Sequence, residues 1–243
     1  MCPENLHIFV QNIRVMKTSR LQKKLKSLDT DEIHRAAAVG KVPSEFMKIA
    51  EAVFNGHFLI SSTMGSVKVY PTCIELYWHE EQGDIKDYIV YHRNSAKENP
   101  EIFPHGILHN HVSGIDFTFE QGDKPESAIR ASILIREYKI AKNGEIIEEK
   151  RPTYLYEAIY SQFSVFDGGF SIIWEDDANA RNTISDADCT PRYNVANYIR
   201  DNGNIVKEPY ITGETSGSKT ANGKYVQDER RWRFTLNDHD TRF

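Results

Sequence analysis

The chain has 243 residues, 40% of them hydrophobic and 27% charged, with a formal charge of -5 at pH 7. That length supports a full core, the balance is that of an ordinary globular protein, and the negative charge argues against a protein that coats itself non-specifically with nucleic acid. The three cysteines, Cys2, Cys73 and Cys189, are odd in number and form no Cys-x-x-Cys pair, so neither a disulfide framework nor a zinc ribbon is expected. No apolar run approaches a membrane span or a secretory signal, which makes the reducing cytoplasm the expected compartment and excludes a membrane from the expected partners.

Residues 14–26 carry six basic side chains and no acid, and predict a helix with a solvated basic face. Pro43 to Gly56 reads as an amphipathic helix. Ser44 can cap it, Phe46, Ile49, Ala50 and Val53 form an i, i+3, i+4, i+7 stripe, and Gly56 suits the stop. Strands are expected in HFLISST and SVKVYPTCIELYW, joined through Met64-Gly65, and in the short KDYIVYH. GILHNHVSG and IDFTFE follow, with Gly114 as a bulge or bend between them. IRASILIREYKI is apolar on both faces, reads as a central strand, and returns through an Asn143-Gly144 hairpin. PTYLYEAIYSQF and PRYNVANYIRDNG predict two helices, the second ended by Asn202-Gly203, and TGETSGSKTANGK predicts a loop. KYVQDERRWRF combines Lys224, Arg230, Arg231 and Arg233 with Trp232 and Phe234. That mix suits a nucleic-acid grip, with a surface strand the simpler expectation. The expected architecture is one α+β domain over residues 1–243, built on a curved, mostly antiparallel, barrel-like sheet flanked by helices.

One residue breaks the pattern of the second strand. With a period of two, Tyr70, Thr72, Ile74, Leu76 and Trp78 share one face, and Val69, Cys73, Glu75 and Tyr77 share the other. Both faces are apolar or aromatic except at Glu75. A carboxylate there must be hydrogen-bonded, paired or neutralised. It is either a salt-bridged edge residue or a positioned acid or base. Further candidates lie nearby in sequence. Tyr77 and His92 can flank the acid, His109 and His111 alternate on one strand face with Asp116 and Glu120 beyond, and Arg136 ends the most apolar strand, where a guanidinium needs a carboxylate or an anionic ligand.

Between about Phe46 and Ile140 the chain resembles the alkyladenine (3-methylpurine) DNA glycosylase family. AEAVFNGHFLISS resembles that family's helix and first strand, VYPTCIELYW its strand with a glutamate two residues before a tyrosine, and YIVYHRN the histidine that follows. FPHGILHNHVSG resembles the next motif, with histidines in place of tyrosines, and ASILIREYKI resembles a strand that ends in arginine. The resemblance implies the methylpurine DNA glycosylase / formyltransferase C-terminal-like fold. It divides the chain into an N-terminal helical segment (1–42), a glycosylase-like core (43–150) and a C-terminal extension of unassigned role (151–243).

The resemblance also implies an activity that needs no cofactor or metal: a modified purine is flipped out of DNA, and a water activated by Glu75 cleaves its N-glycosidic bond. Tyr77, His92, His109 and His111 would line the base pocket, with Asp116 and Arg136 as further contacts. Two alternatives stand beside it. The run Gly106-x-x-His109-x-His111-x4-Asp116 resembles the first cupin motif, which implies a metal inside a small barrel. Ser113 occupies the place of the family's wedge tyrosine, and with the acidic charge this points to a non-catalytic nucleic-acid-binding or interaction module.

Overall fold

The computed structural model describes residues 18–87, 90, 101–166, 168–193, 199–201, 204–207 and 228–236. Within the basic N-terminal stretch, α1 spans Arg20–Lys26 and is capped by Ser19, whose hydroxyl accepts from Gln22 N at 3.0 Å. Next, α2 (Thr30–Ala38) is capped by Asp29 in the same way. The amphipathic α3 covers Ser44–Phe54, and its stripe of Phe46, Ile49, Ala50 and Val53 is buried as the periodicity requires. Its N-terminus is satisfied differently from expectation. Ser44 already lies inside the helix, and Glu32 of α2 accepts from Ser44 N (2.9 Å) and Glu45 N (3.2 Å). Gly56 does not stop the helix but begins a strand. A Cβ there would lie 2.5 Å from Trp174 Cζ2, so only glycine lets that indole pack flat on the backbone.

The main sheet has the order β3-β4-β5-β2-β1-β7, all antiparallel, with β1 Gly56–Ser62, β2 Gly65–Glu80, β3 Leu108–His111, β4 Gly114–Thr118, β5 Ile129–Lys142 and β7 Ser171–Asp176. The Asn143-Gly144 turn takes φ of 53° and 82° and leads into β6 (Glu145–Glu149), the expected hairpin. Gly114 opens β4 at φ 138°, so the β3–β4 pair is a tight hairpin rather than one bent strand. β8 (Cys189–Thr190) and β11 (Arg233–Thr235) join at the distal half of β2. The sheet therefore draws strands from both the 43–150 and the 151–243 stretches.

Two aromatic contacts show how the sheet curls. Phe117 on β4 and Trp174 on β7 lie 6.3 Å apart although three strands separate them in the sheet, and Phe58 on β1 lies 6.2 Å from Phe117. Their face is the inside of a half-barrel. α1, α2 and α3 fill it around Trp78, Leu76 and Ile133, while α4 (Leu155–Tyr160) fills the other end around Val69, Ile115 and Tyr138. Side chains such as Phe46 and Ile60, fully buried there, each contribute roughly 1.5–3 kcal/mol of apolar burial.

The period-two reading of β2 holds on each side of a bulge but not across it. Pairing with β5 shifts register between Pro71 and Cys73 and again between Cys73 and Ile74. Pro71 has no N–H to offer the ladder, and the slip turns the strand over. Val67 and Val69 before the bulge, and Ile74, Leu76 and Trp78 after it, all face inward, whereas Tyr70 stacks outside on His57.

Three expectations change, two of them in the C-terminal region. Residues 199–201 and 204–207, read as the end and aftermath of a helix, pair as an antiparallel hairpin, β9 with β10. Asn202-Gly203 lies between them, a pair that favours a two-residue hairpin turn over a helix stop. Of KDYIVYH, Lys86, Asp87 and Val90 lie outside any strand, and the rest falls outside the described residues, as do TGETSGSKTANGK, Lys224 and His92. The strand expected at the surface, β11 with the preceding Trp232, is not superficial, because Trp232 and Phe234 are core residues.

Candidate functional sites on the two faces of the sheet

The outer face carries the polar residues singled out in the sequence. Strand register sets Glu75 of β2 opposite Leu134 of β5, Leu134 opposite Asp116 of β4, and Asp116 opposite His109 of β3. Tyr77 and Ser132 form the next row, and His111 lies two pairs beyond His109, on the same side. Facing residues in adjacent strands share a side. The pleat thus brings Glu75, Tyr77, Asp116, His109 and His111 onto one surface.

Glu75 is fully enclosed, with 0% of its surface exposed. Its Oε2 accepts from the Tyr77 hydroxyl at 2.9 Å, and its Oε1 accepts from Tyr193 N at 2.7 Å. Arg136 Nε stands 3.8 Å from Oε1, and the guanidinium lies 5.5 Å from the Tyr193 ring. Burial and the adjacent Glu75 carboxylate push the Tyr77 phenol well above its ordinary pKa, so it donates. Glu75 therefore does not line a wet pocket. It is a strut that holds the segment after β8 against β2.

Arg136 finds the carboxylate it needs in Glu75, and its side chain is 18% exposed. Glu120 belongs to Arg130, which is completely buried and reaches it at 3.0 Å. Glu75 keeps its two hydrogen bonds without Arg136, so Arg136→Met should cost only about 1 kcal/mol, a shift of roughly 2–4 °C in thermal midpoint. A much larger drop in calorimetry would show that the pair acts as a fully buried one.

His111 and Asp116 form a second local unit. Ser113 N donates to His111 Nδ1 at 3.2 Å, which leaves the ring proton on Nε2, 3.1 Å from Asp116 Oδ1. Asp116 Oδ2 accepts from Ser132 Oγ at 3.0 Å. The serine thus contacts the carboxylate and not the imidazole, so this is not the order of groups that activates a nucleophile. His109 stacks on His111 at 6.1 Å and against Phe103 at 5.1 Å. The His-x-His…Asp run faces outward. Among the described residues no three His, Cys, Asp or Glu side chains are gathered to hold a metal.

Sequence reasoning missed the dominant feature of this face. Arg192, buried to 1% exposure, sends Nη1 to Asp87 Oδ2 and Nη2 to Asp228 Oδ2, both at 2.6 Å, and also reaches Leu76 O. Its guanidinium lies 4.6 Å from the Tyr77 ring. Arg230 closes the cluster on Asp228 at 2.5 Å, and two guanidinium groups balance two carboxylates. Burial opposes the charge on Asp228, yet the two arginines hold its carboxyl below the usual range. The other described arginines of the basic C-terminal stretch are also paired internally: Arg231 with Asp186 and Arg233 with Glu137. The only local sign of this was the unusual density of charge around Trp232.

The inner face holds a cavity of about 280 Å³ at the seam where the two sheet edges approach. Leu108 and Phe117 form one wall, Ile172 and Trp174 the other, and Phe58 the floor. Leu25 of α1 closes it from above, and Ser19, Gln22 and His105 stand at its margin. Arg20 ties α1 in place through its guanidinium to Asn55 O (2.9 Å) and Asp177 O (2.7 Å). A single water needs only roughly 10–15 Å³ measured this way, so the space admits a small organic molecule.

No protein-family model, no curated protein and no solved structure matches the chain. The functional reading therefore rests on these two faces alone. The outer one presents its acids and bases already bonded to each other. The inner one presents uncharged, shaped space. No helix among the described residues is long and apolar enough to cross a membrane.

Proposed function

We propose that this protein is a non-catalytic binding module that takes a small molecule into the seam of its half-barrel. The seam cavity carries this reading: apolar walls from three elements converge on it, with a few polar groups at the margin, which is the usual make-up of a ligand site. The enclosure of Glu75 supports it from the other side, since a general base must come within reach of the proton it removes. Titration with the uncharged dye Nile red tests it. Saturable binding with a rise in emission is expected. Leu108→Trp, which fills the space, should weaken binding at least about tenfold. Emission that rises without saturation, or is unchanged in the variant, overturns the proposal.

N-glycosidic hydrolysis on the outer face is the second reading. It is favoured by one observation, the common face of Glu75, Tyr77, Asp116, His109 and His111. It requires the segment around Tyr193 to swing off Glu75. Duplexes and single strands bearing alkylated or deaminated purines, followed by alkaline cleavage at abasic sites, separate the two readings. The hydrolase gives strand breaks that Glu75→Gln reduces at least about a hundredfold. The binding module gives none.

A further inference from the structure

The walls and margin of the seam cavity also bear on what it holds. Among the described residues, none of the eleven that line it carries a formal charge at neutral pH apart from the titratable His105. Burial and then the nearby Lys26 lower the pKa of His105, so the imidazole is neutral at pH 7. A charged group buried among these lining residues would lose its hydration without a counter-charge from them, since Lys26 is not part of the lining. The interior is aromatic on three sides. Phe58 meets Trp174 edge-on at 4.8 Å and 82°, and meets Phe117 at 6.2 Å and 60°. Rings set at such angles offer faces and edges to another planar ring, the arrangement aromatic pairs prefer. At the margin, neither the imidazole of His105 nor the side-chain amide of Gln22 hydrogen-bonds to a described residue. A neutral imidazole offers one donor and one acceptor, and the amide offers both kinds.

We infer that the cavity selects an uncharged planar aromatic molecule carrying one hydroxyl group, with the ring between Phe58, Phe117 and Trp174 and the hydroxyl shared by His105 and Gln22. This rests on the binding reading above and adds the chemical class of its ligand. A hydroxyl both donates and accepts, so it meets a neutral imidazole and an amide together, which a bare hydrocarbon or a carboxylate does not. His105 sits on the loop before β3 and Gln22 on α1, so a ligand bonded to both would also tie the covering helix to the sheet edge.

Three probes of one size test this at pH 7 by calorimetric or fluorescence titration: naphthalene, 2-naphthol and 2-naphthoate. 2-Naphthol should bind about threefold to tenfold more tightly than naphthalene, the usual worth of one net hydrogen bond, and 2-naphthoate most weakly of the three. His105→Phe, a substitution at a partly exposed loop position, should remove the advantage of 2-naphthol over naphthalene. Equal affinity for naphthalene and 2-naphthol in the unaltered protein overturns the ligand class while leaving the binding module standing. Tightest binding of 2-naphthoate overturns it too. Failure of all three probes together with Nile red overturns the binding module itself.

Discussion

Replacing Arg192 with methionine is expected to lower the unfolding free energy by about 3–5 kcal/mol, the cost of breaking a buried ion pair by removing one member. The guanidinium has no exposed surface and spans Asp87 and Asp228, which are themselves 2% and 0% exposed. Methionine fills much of the same space between the Tyr77 and Trp232 rings, so the loss comes from stranded charge rather than from a void. Arg230 stays to compensate Asp228, and it reaches Asp87 only at 3.5 Å. Asp87 is therefore the group left worst off. Arg192→Lys should fall between the two, since an ammonium retains the charge and loses the two-pronged geometry. Urea denaturation reads the effect directly. With a total stability on the order of 5–15 kcal/mol, the midpoint should move by about a fifth or more. An unchanged midpoint would mean that Arg192 does not hold the C-terminal strands to the sheet.

Trp232→Ala is the second large effect, about 3–5 kcal/mol. The indole is 1% exposed and meets the Phe46 ring edge-on at 5.1 Å, so it joins α3 to the strand that pairs with β2. On its other side lie the guanidinium groups of Arg230 at 4.4 Å and Arg192 at 5.2 Å. Truncation opens a cavity in the core and removes the aromatic face under both cations. Because Trp232 and Arg192 touch, the double variant should lose less than the sum of the single losses. Strict additivity in the same urea experiment would show that the aromatic core and the ion cluster support the C-terminal strands independently.

Much of the frame was legible in the chain itself. The i, i+3, i+4, i+7 stripe of Phe46, Ile49, Ala50 and Val53 defines the buried side of α3, because helical periodicity is a local property. The β5–β6 hairpin follows from Asn143-Gly144, since only residues that tolerate positive φ make that turn. Glu75 stood out correctly as a carboxylate that needed partners. Its partners were not readable. Tyr77 is a neighbour on the strand, but Tyr193 lies 118 residues away and the chain has no local signal for that contact. The same holds for Arg192 and Asp87, 105 residues apart, whose pairing exists only once β8 and β11 dock on β2. The bulge at Pro71–Ile74 was also out of reach of a period-two reading, because a one-residue slip exchanges the faces of everything beyond it. Local pattern thus determined the buried side of α3, the β5–β6 hairpin and that Glu75 could not stand alone. Curling of the sheet decided which face is inside, and with it that the polar residues lock to each other outside while the space for a ligand opens at the seam.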